Sequence, residues 1–122
     1  MSDPVETLRA FGAAITQGEP AIAVDLFAPD ATYEEPPAST LRGRDGLLAF
    51  FTDFANRHSD VSFTISRAFA DADNTHVAAE WRFAYTRTED GTRRAYEGIS
   101  ILEFTADGRI ASWRGFSALL GW

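Results

Sequence analysis

The stretch DATYEEPP, Asp30 to Pro37, places two carboxylates directly before two prolines. In an extended segment Ala31, Tyr33 and Glu35 point one way, and Asp30, Thr32 and Glu34 the other. The first set reads as inward, so Glu35 shares a face with an aromatic ring. Burial disfavours the charged form of a carboxyl group and raises its pKa. A base tuned in this way can remove a proton next to a carbonyl. The competing reading makes Glu35 a rim acid or a structural partner of an arginine. Glu34 reads as solvated, and Pro36 and Pro37 restrict the backbone behind the acids.

A proton abstraction also needs donors for the oxygen that becomes negative. Tyr33, Tyr85 and Ser100 are the hydroxyl candidates. Trp81, Phe83 and Tyr85 alternate along one strand face and read either as core or as a pocket wall for a flat, apolar molecule. Trp113, Gly115 and Ser117 alternate along one face of the last strand. Glu80 and Arg82 share the face opposite Trp81 and read as an outer ion pair. Arg114, Glu97 and Glu103 belong to the same outer surface. His58 and His76 read as surface residues, His58 at a helix end where a cation suits the dipole.

Composition removes several chemistries. The 122 residues contain no cysteine and no lysine; all eleven basic residues are arginine. Thiol catalysis, sulfur-ligated zinc and a lysine Schiff base are therefore excluded. No metal site, cofactor or phosphate-binding glycine loop is expected. A net charge of −7 argues against nucleic acid and anionic membrane as partners. No leader segment or membrane span is legible, which makes a cytoplasmic protein the expectation.

The elements that must position these residues follow from periodicity. The length fits a single domain, residues 1–122. Asp3 caps a first helix, with Pro4 at its first position, Glu6 placed for a capping box and Gly18 as the stop. Val5, Leu8, Phe11 and Ile15 form its apolar face. A short helix over Pro20–Phe27, with Ile22 and Leu26 on one side, ends at Pro29. After the acidic strand and a linker from Pro36 to Arg42, a third helix covers Arg44–Arg57. Its stripe is Leu47, Phe50, Phe51 and Phe54. Strands follow around Val61–Ile65, Val77–Tyr85, Ala95–Phe104 and up to Ser117. Their turns lie at Asp73-Asn74, TEDGT (Thr88 to Thr92) and DGR (Asp107 to Arg109). Helices first and a strand meander afterwards give an α+β class, with three helices laid on one face of a curved, mainly antiparallel sheet.

Three segments in this order, LFAPDATYEEP (Leu26 to Pro36), GRDGLLAFF (Gly43 to Phe51) and GISILEFTADGRIASWRGF (Gly98 to Phe116), resemble the nuclear-transport-factor-2-like superfamily. Its SnoaL-like and ketosteroid-isomerase-like members are the nearest match. The resemblance implies a cone-shaped fold enclosing a pocket and a homodimer through the outer sheet face. Glu35 stands where steroid isomerases of the family carry their proton-shuttling aspartate. Phe11 and Ser100 stand where they carry a tyrosine and an aspartic acid as oxyanion donors. Gly115 stands where SnoaL-type cyclases and limonene epoxide hydrolases carry a catalytic carboxylate. The implied pocket wall is Phe11, Tyr33, Phe54, Trp81, Phe83, Tyr85, Ser100, Trp113 and Gly115, around a small apolar molecule with Glu35 as general base. Two functions stay open: cofactor-free isomerisation, cyclisation or dehydration next to a carbonyl, and a ligand carrier or dimerisation module without chemistry.

Overall fold

Helix α1 (Pro4–Thr16) starts as its sequence dictates. Asp3 Oδ1 accepts from the Val5 amide at 2.9 Å, Pro4 occupies the first position, and Gly18 leaves the helix with φ +69°. The capping box is absent, because the Glu6 carboxylate lies 3.8 Å from Arg9 Nε one turn on. Leu8, Phe11, Ala14 and Ile15 are buried, and each large apolar side chain taken from water contributes roughly 1.5–3 kcal/mol. The computed structural model describes residues 3–36 and 40–120, so the expectations for Pro37 lie outside the described residues.

Helix α2 (Pro20–Asp25) is shorter than its pattern predicts. Ala23 and Val24 are buried and Ile22 is exposed, so its packed side is not the Ile22–Leu26 side. Nor does Pro29 end it. The chain turns at Leu26, and Phe27, fully buried, already opens β1 (Phe27–Glu34), in which Pro29 is the third residue. The linker region yields a two-residue strand, β2 (Leu41–Arg42), paired antiparallel to β1.

Helix α3 (Gly43–Arg57) buries Leu47 and Phe51, half-buries Phe54 and leaves Phe50 exposed. Four long strands follow: β3 (His58–Ala70), β4 (His76–Arg87), β5 (Arg93–Phe104) and β6 (Ile110–Leu119). Their turns carry Asn74, Gly91 and Gly108 at φ +59°, +70° and +87°, a region that only glycine, asparagine and aspartate enter readily.

The six strands form one sheet in the order β2-β1-β6-β5-β4-β3. Every neighbouring pair is antiparallel except β1 and β6, which run parallel with Tyr33 opposite Trp113. The three helices lie over one face. On the other face Glu80 pairs with Arg67 and Arg82 with Glu97, rather than with each other. The core lies between, centred on Leu8, Phe27, Leu47, Leu102, Ile110 and Trp113. No helix among the described residues is long and apolar enough to cross a membrane.

Candidate functional site

Between the helices and the concave face of the sheet lies a cavity of about 300 Å³, at the small end of the range for small-molecule sites. Phe11 comes from α1, Tyr33 from β1, Phe54 from α3, Trp81, Phe83 and Tyr85 from β4, and Trp113 from β6. All seven line it, together with Glu35 just beyond the end of β1. Alternation places them as expected, with Ala31 and Tyr33 buried and Glu35 partly buried.

Glu35 is held by its neighbour two residues back, since the Tyr33 hydroxyl donates to Glu35 Oε1. Burial raises the Glu35 pKa above 4.5, and the hydrogen bond from Tyr33 partly opposes the rise. The Tyr33 pKa is raised well above 10.0 by burial, by the adjacent Glu35 charge and by the bond itself. The Tyr33 proton is thus committed to the carboxylate, and this tyrosine positions the acid. The Tyr33 ring stacks on Trp113 with centroids 5.4 Å apart and planes inclined by 28°.

Ser100 does not stand in the cavity wall. It is fully buried behind Trp81, whose Nε1–H donates to Ser100 Oγ at 2.8 Å. The serine hydroxyl keeps its own proton and a second lone pair. Gly115 also stands behind the lining, opposite Ser100 in the register of β5 and β6. A Cβ built on Gly115 falls 2.8 Å from Ser100 Oγ, 3.0 Å from Trp113 Nε1 and 3.8 Å from Glu35 Cγ. Glycine is therefore required at 115, because Ser100 Oγ and the Trp113 indole already occupy the space a side chain would take. Trp113 Nε1 is buried there without a hydrogen-bond partner among the described residues. An unpaired buried donor costs roughly 1–3 kcal/mol, and native structures hold few of them.

A second polar group closes the other end of the cavity. His58 is no plain surface residue. Its Nδ1 lies 2.8 Å from Phe54 O, its ring stacks on Phe54 at 4.2 Å, and it lines the cavity beside Tyr85. Since a carbonyl only accepts, Nδ1 is the protonated nitrogen. The hydroxyls of Tyr85 and Tyr96 are 3.2 Å apart. Burial, with help from Tyr96, pushes the Tyr85 pKa up to about 12, so this phenol stays neutral. Tyr96, His58, Phe50, Phe51 and Phe63 line the cavity without having been expected to. Tyr96 shares a strand face with Gly98 and Ser100, and His58 follows Phe54 by one helical turn. Both signals were present in the sequence. The orphaned indole N–H of Trp113 had none.

The SnoaL-like domain family matches residues 8–113. This chain is a SnoaL-like protein. Among curated relatives, the Steroid Delta-isomerase of Nocardioides simplex is 34% identical over 108 residues, covering 86% of this chain and 81% of that one. A Catenulispora acidiphila protein with a ketosteroid isomerase-like fold, solved with trimethylamine, superposes with a TM-score of 0.79 at 25% identity, over 90% of this chain and 83% of that one. An epoxide hydrolase of the LEH-like type from Mycobacterium tuberculosis superposes at 0.82 with 22% identity, over 95% and 83%. That last likeness speaks for the fold alone. The SnoaL-like and ketosteroid-isomerase-like branch of the nuclear-transport-factor-2-like superfamily is thereby its place, and the α+β cone its fold.

Proposed function

We propose that this SnoaL-like protein is a cofactor-independent isomerase that moves a proton next to a carbonyl of a small apolar molecule. The observation that carries the reading is the partly buried Glu35 in the wall of a ring-lined cavity, held by the Tyr33 hydroxyl. The substrate lies flat among the rings with its carbonyl on the Glu35 side of that cavity. The Glu35 carboxylate takes a proton from the carbon beside the carbonyl, and the carbon's electrons move onto the oxygen. Trp113 Nε1–H, which has no hydrogen-bond partner among the described residues, donates to this enolate oxygen. It stands in for the donors that steroid isomerases carry at the positions of Phe11 and Ser100. Protonated Glu35 then returns the proton to a different carbon, so that a double bond shifts and nothing is consumed. Tyr33 holds the acid in place throughout. The likeness to a Steroid Delta-isomerase supports a ketone of that size.

The test is a β,γ-unsaturated 3-keto steroid, followed by the ultraviolet absorbance of the conjugated product. Wild-type protein isomerises it, and Glu35→Gln loses about 10²–10⁴-fold in kcat, the usual worth of a positioned base, while still binding the product. Full turnover by Glu35→Gln would remove the base. Absence of turnover in wild-type protein that nevertheless binds the steroid would leave the carrier reading, which the ring of Phe11 in place of a donor favours.

We also propose that the outer sheet face pairs with a second copy of the chain. Ile99, Ile101 and Phe116 are all about half exposed there, and Ile99 and Phe116 are register partners. Light scattering on Ile99→Asp should then report a monomer where wild type reports a dimer.

A further inference from the structure

The cavity has two polar ends, and the reaction proposed above uses only one. Ser100 and Tyr96 lie on the same face of β5, four residues apart, with Gly98 between them. Trp81 is the register partner of Gly98, and its ring covers that glycine so closely that a Cβ there would fall 2.5 Å from Cη2. Four residues of strand span roughly 13 Å. Glu35 and Trp113 line the same cavity as Tyr85 and Tyr96, with Trp81 and Phe83 also in its wall.

The chemistry of the far end is specific. Of the two tyrosine protons, one joins the hydroxyls and the other is left to donate. His58 Nδ1–H is spent on Phe54 O. In neutral imidazole this makes Nε2 an acceptor, and Nε2 has no hydrogen-bond partner among the described residues. Stacking on Phe54 and an edge contact with Tyr85 fix the ring. One donor and one acceptor in the wall of the same cavity, with the His58 and Tyr85 rings 4.4 Å apart, complement a group that both accepts and donates. An alcohol is such a group, whereas a ketone or ether uses only the donor.

We infer that His58, Tyr85 and Tyr96 form a second subsite that recognises a hydroxyl group at the end of the ligand remote from the reacting carbonyl. The ligand class is then a rigid, apolar hydroxy-ketone with its two oxygens on different parts of the skeleton. This rests on the reading of Glu35 and Trp113 as the carbonyl side.

The experiment uses two probes, a 3-keto steroid bearing a 17-hydroxyl and the same steroid lacking it. Dissociation constants are measured by tryptophan fluorescence or calorimetry for wild type, His58→Phe, Tyr96→Phe and Glu35→Gln. His58→Phe keeps an aromatic ring on Phe54, and Tyr96→Phe keeps the ring stack. The readout is the ratio of the two constants, which cancels the general hydrophobicity of each probe. His58→Phe and Tyr96→Phe should each shift this ratio against the hydroxylated steroid by about tenfold, the worth of one good hydrogen bond. Glu35→Gln should leave it unchanged. A ratio equal in wild type and both far-end variants overturns the subsite. If Glu35→Gln also abolishes isomerisation in that case, the proposed reaction stands and only this inference falls. If neither steroid binds wild-type protein, the reading of the cavity fails and the subsite with it.

Discussion

Glu35 and Asp71 carry the same functional group, and this fold drives them in opposite directions. Asp71 sits at the exposed turn between β3 and β4. It accepts from the Thr75 amide at 2.9 Å, the Thr75 hydroxyl at 3.0 Å and the His76 amide at 3.2 Å, and lies 3.1 Å from His76 Nδ1. Hydrogen bonds, that of the Thr75 amide foremost, lower its pKa to about 2. Glu35 has a single hydrogen-bond donor among the described residues, a tyrosine, and burial outweighs it. One carboxylate is satisfied by backbone amides and stabilises a turn. The other is kept short of partners beside a cavity, as a base must be if it is to accept a proton from a substrate.

The contrast can be broken experimentally, beginning with the largest effect. Glu35→Gln should cost two to four orders of magnitude in turnover with no loss of melting temperature at neutral pH, whereas Asp71→Asn should do the reverse. A Glu35→Gln variant that unfolds more easily would make Glu35 structural, like Asp71. Trp113→Phe comes next, with about 10²-fold lower kcat, as for removal of one oxyanion donor. The smaller ring also costs packing in the core, so kcat is read at a temperature where the variant is fully folded. Similar kcat in Trp113→Phe and wild type would take the indole out of the reaction.

Tyr33→Phe sharpens the comparison further. The tyrosine bond lowers the Glu35 pKa, so removing it should move the acid limb of the kcat/KM profile to higher pH. In wild type that limb should already have its midpoint above 4.5, with activity rising as the carboxyl loses its proton. A downward shift in Tyr33→Phe would contradict the assigned direction of the bond. The smallest effects concern stability against pH. Because the folded pKa of Glu35 is raised, its contribution is fully present below the unfolded value and fades as pH rises through the folded one. Asp71, being lowered, contributes above its unfolded pKa and loses that contribution as pH falls from about 3.8 toward about 2. Acid melts of Asp71→Asn should lack the second component, and melts of Glu35→Gln the first.

The local signals were the legible ones. Asp3 and Pro4 mark the start of α1, the glycine and asparagine turns divide the strands, and alternation puts Tyr33 and Glu35 on one side. What escaped depends on contacts between distant segments. Pro29 looks like a helix stop, yet Phe27 is buried so deeply that the strand begins before the proline. His58 looks like a helix-end cation until the Phe54 ring beneath it and Tyr85 beside it are seen. Ser100 reads as a cavity hydroxyl, but Trp81 covers it and donates to its oxygen behind the wall. The isolation of the Trp113 N–H follows from what fails to approach it, which no single stretch of sequence encodes.

The parallel pairing of β1 with β6 joins Tyr33 to Trp113, eighty positions further along the chain. An arrangement of that kind cannot mature piecemeal. A nascent chain that has formed its helices and its first three long strands' worth of residues but not the last still lacks the indole, and its acid has nothing to work against. Under the proposed function, a half-folded molecule could not enolise its substrate, and turnover would report that β6 has joined β1.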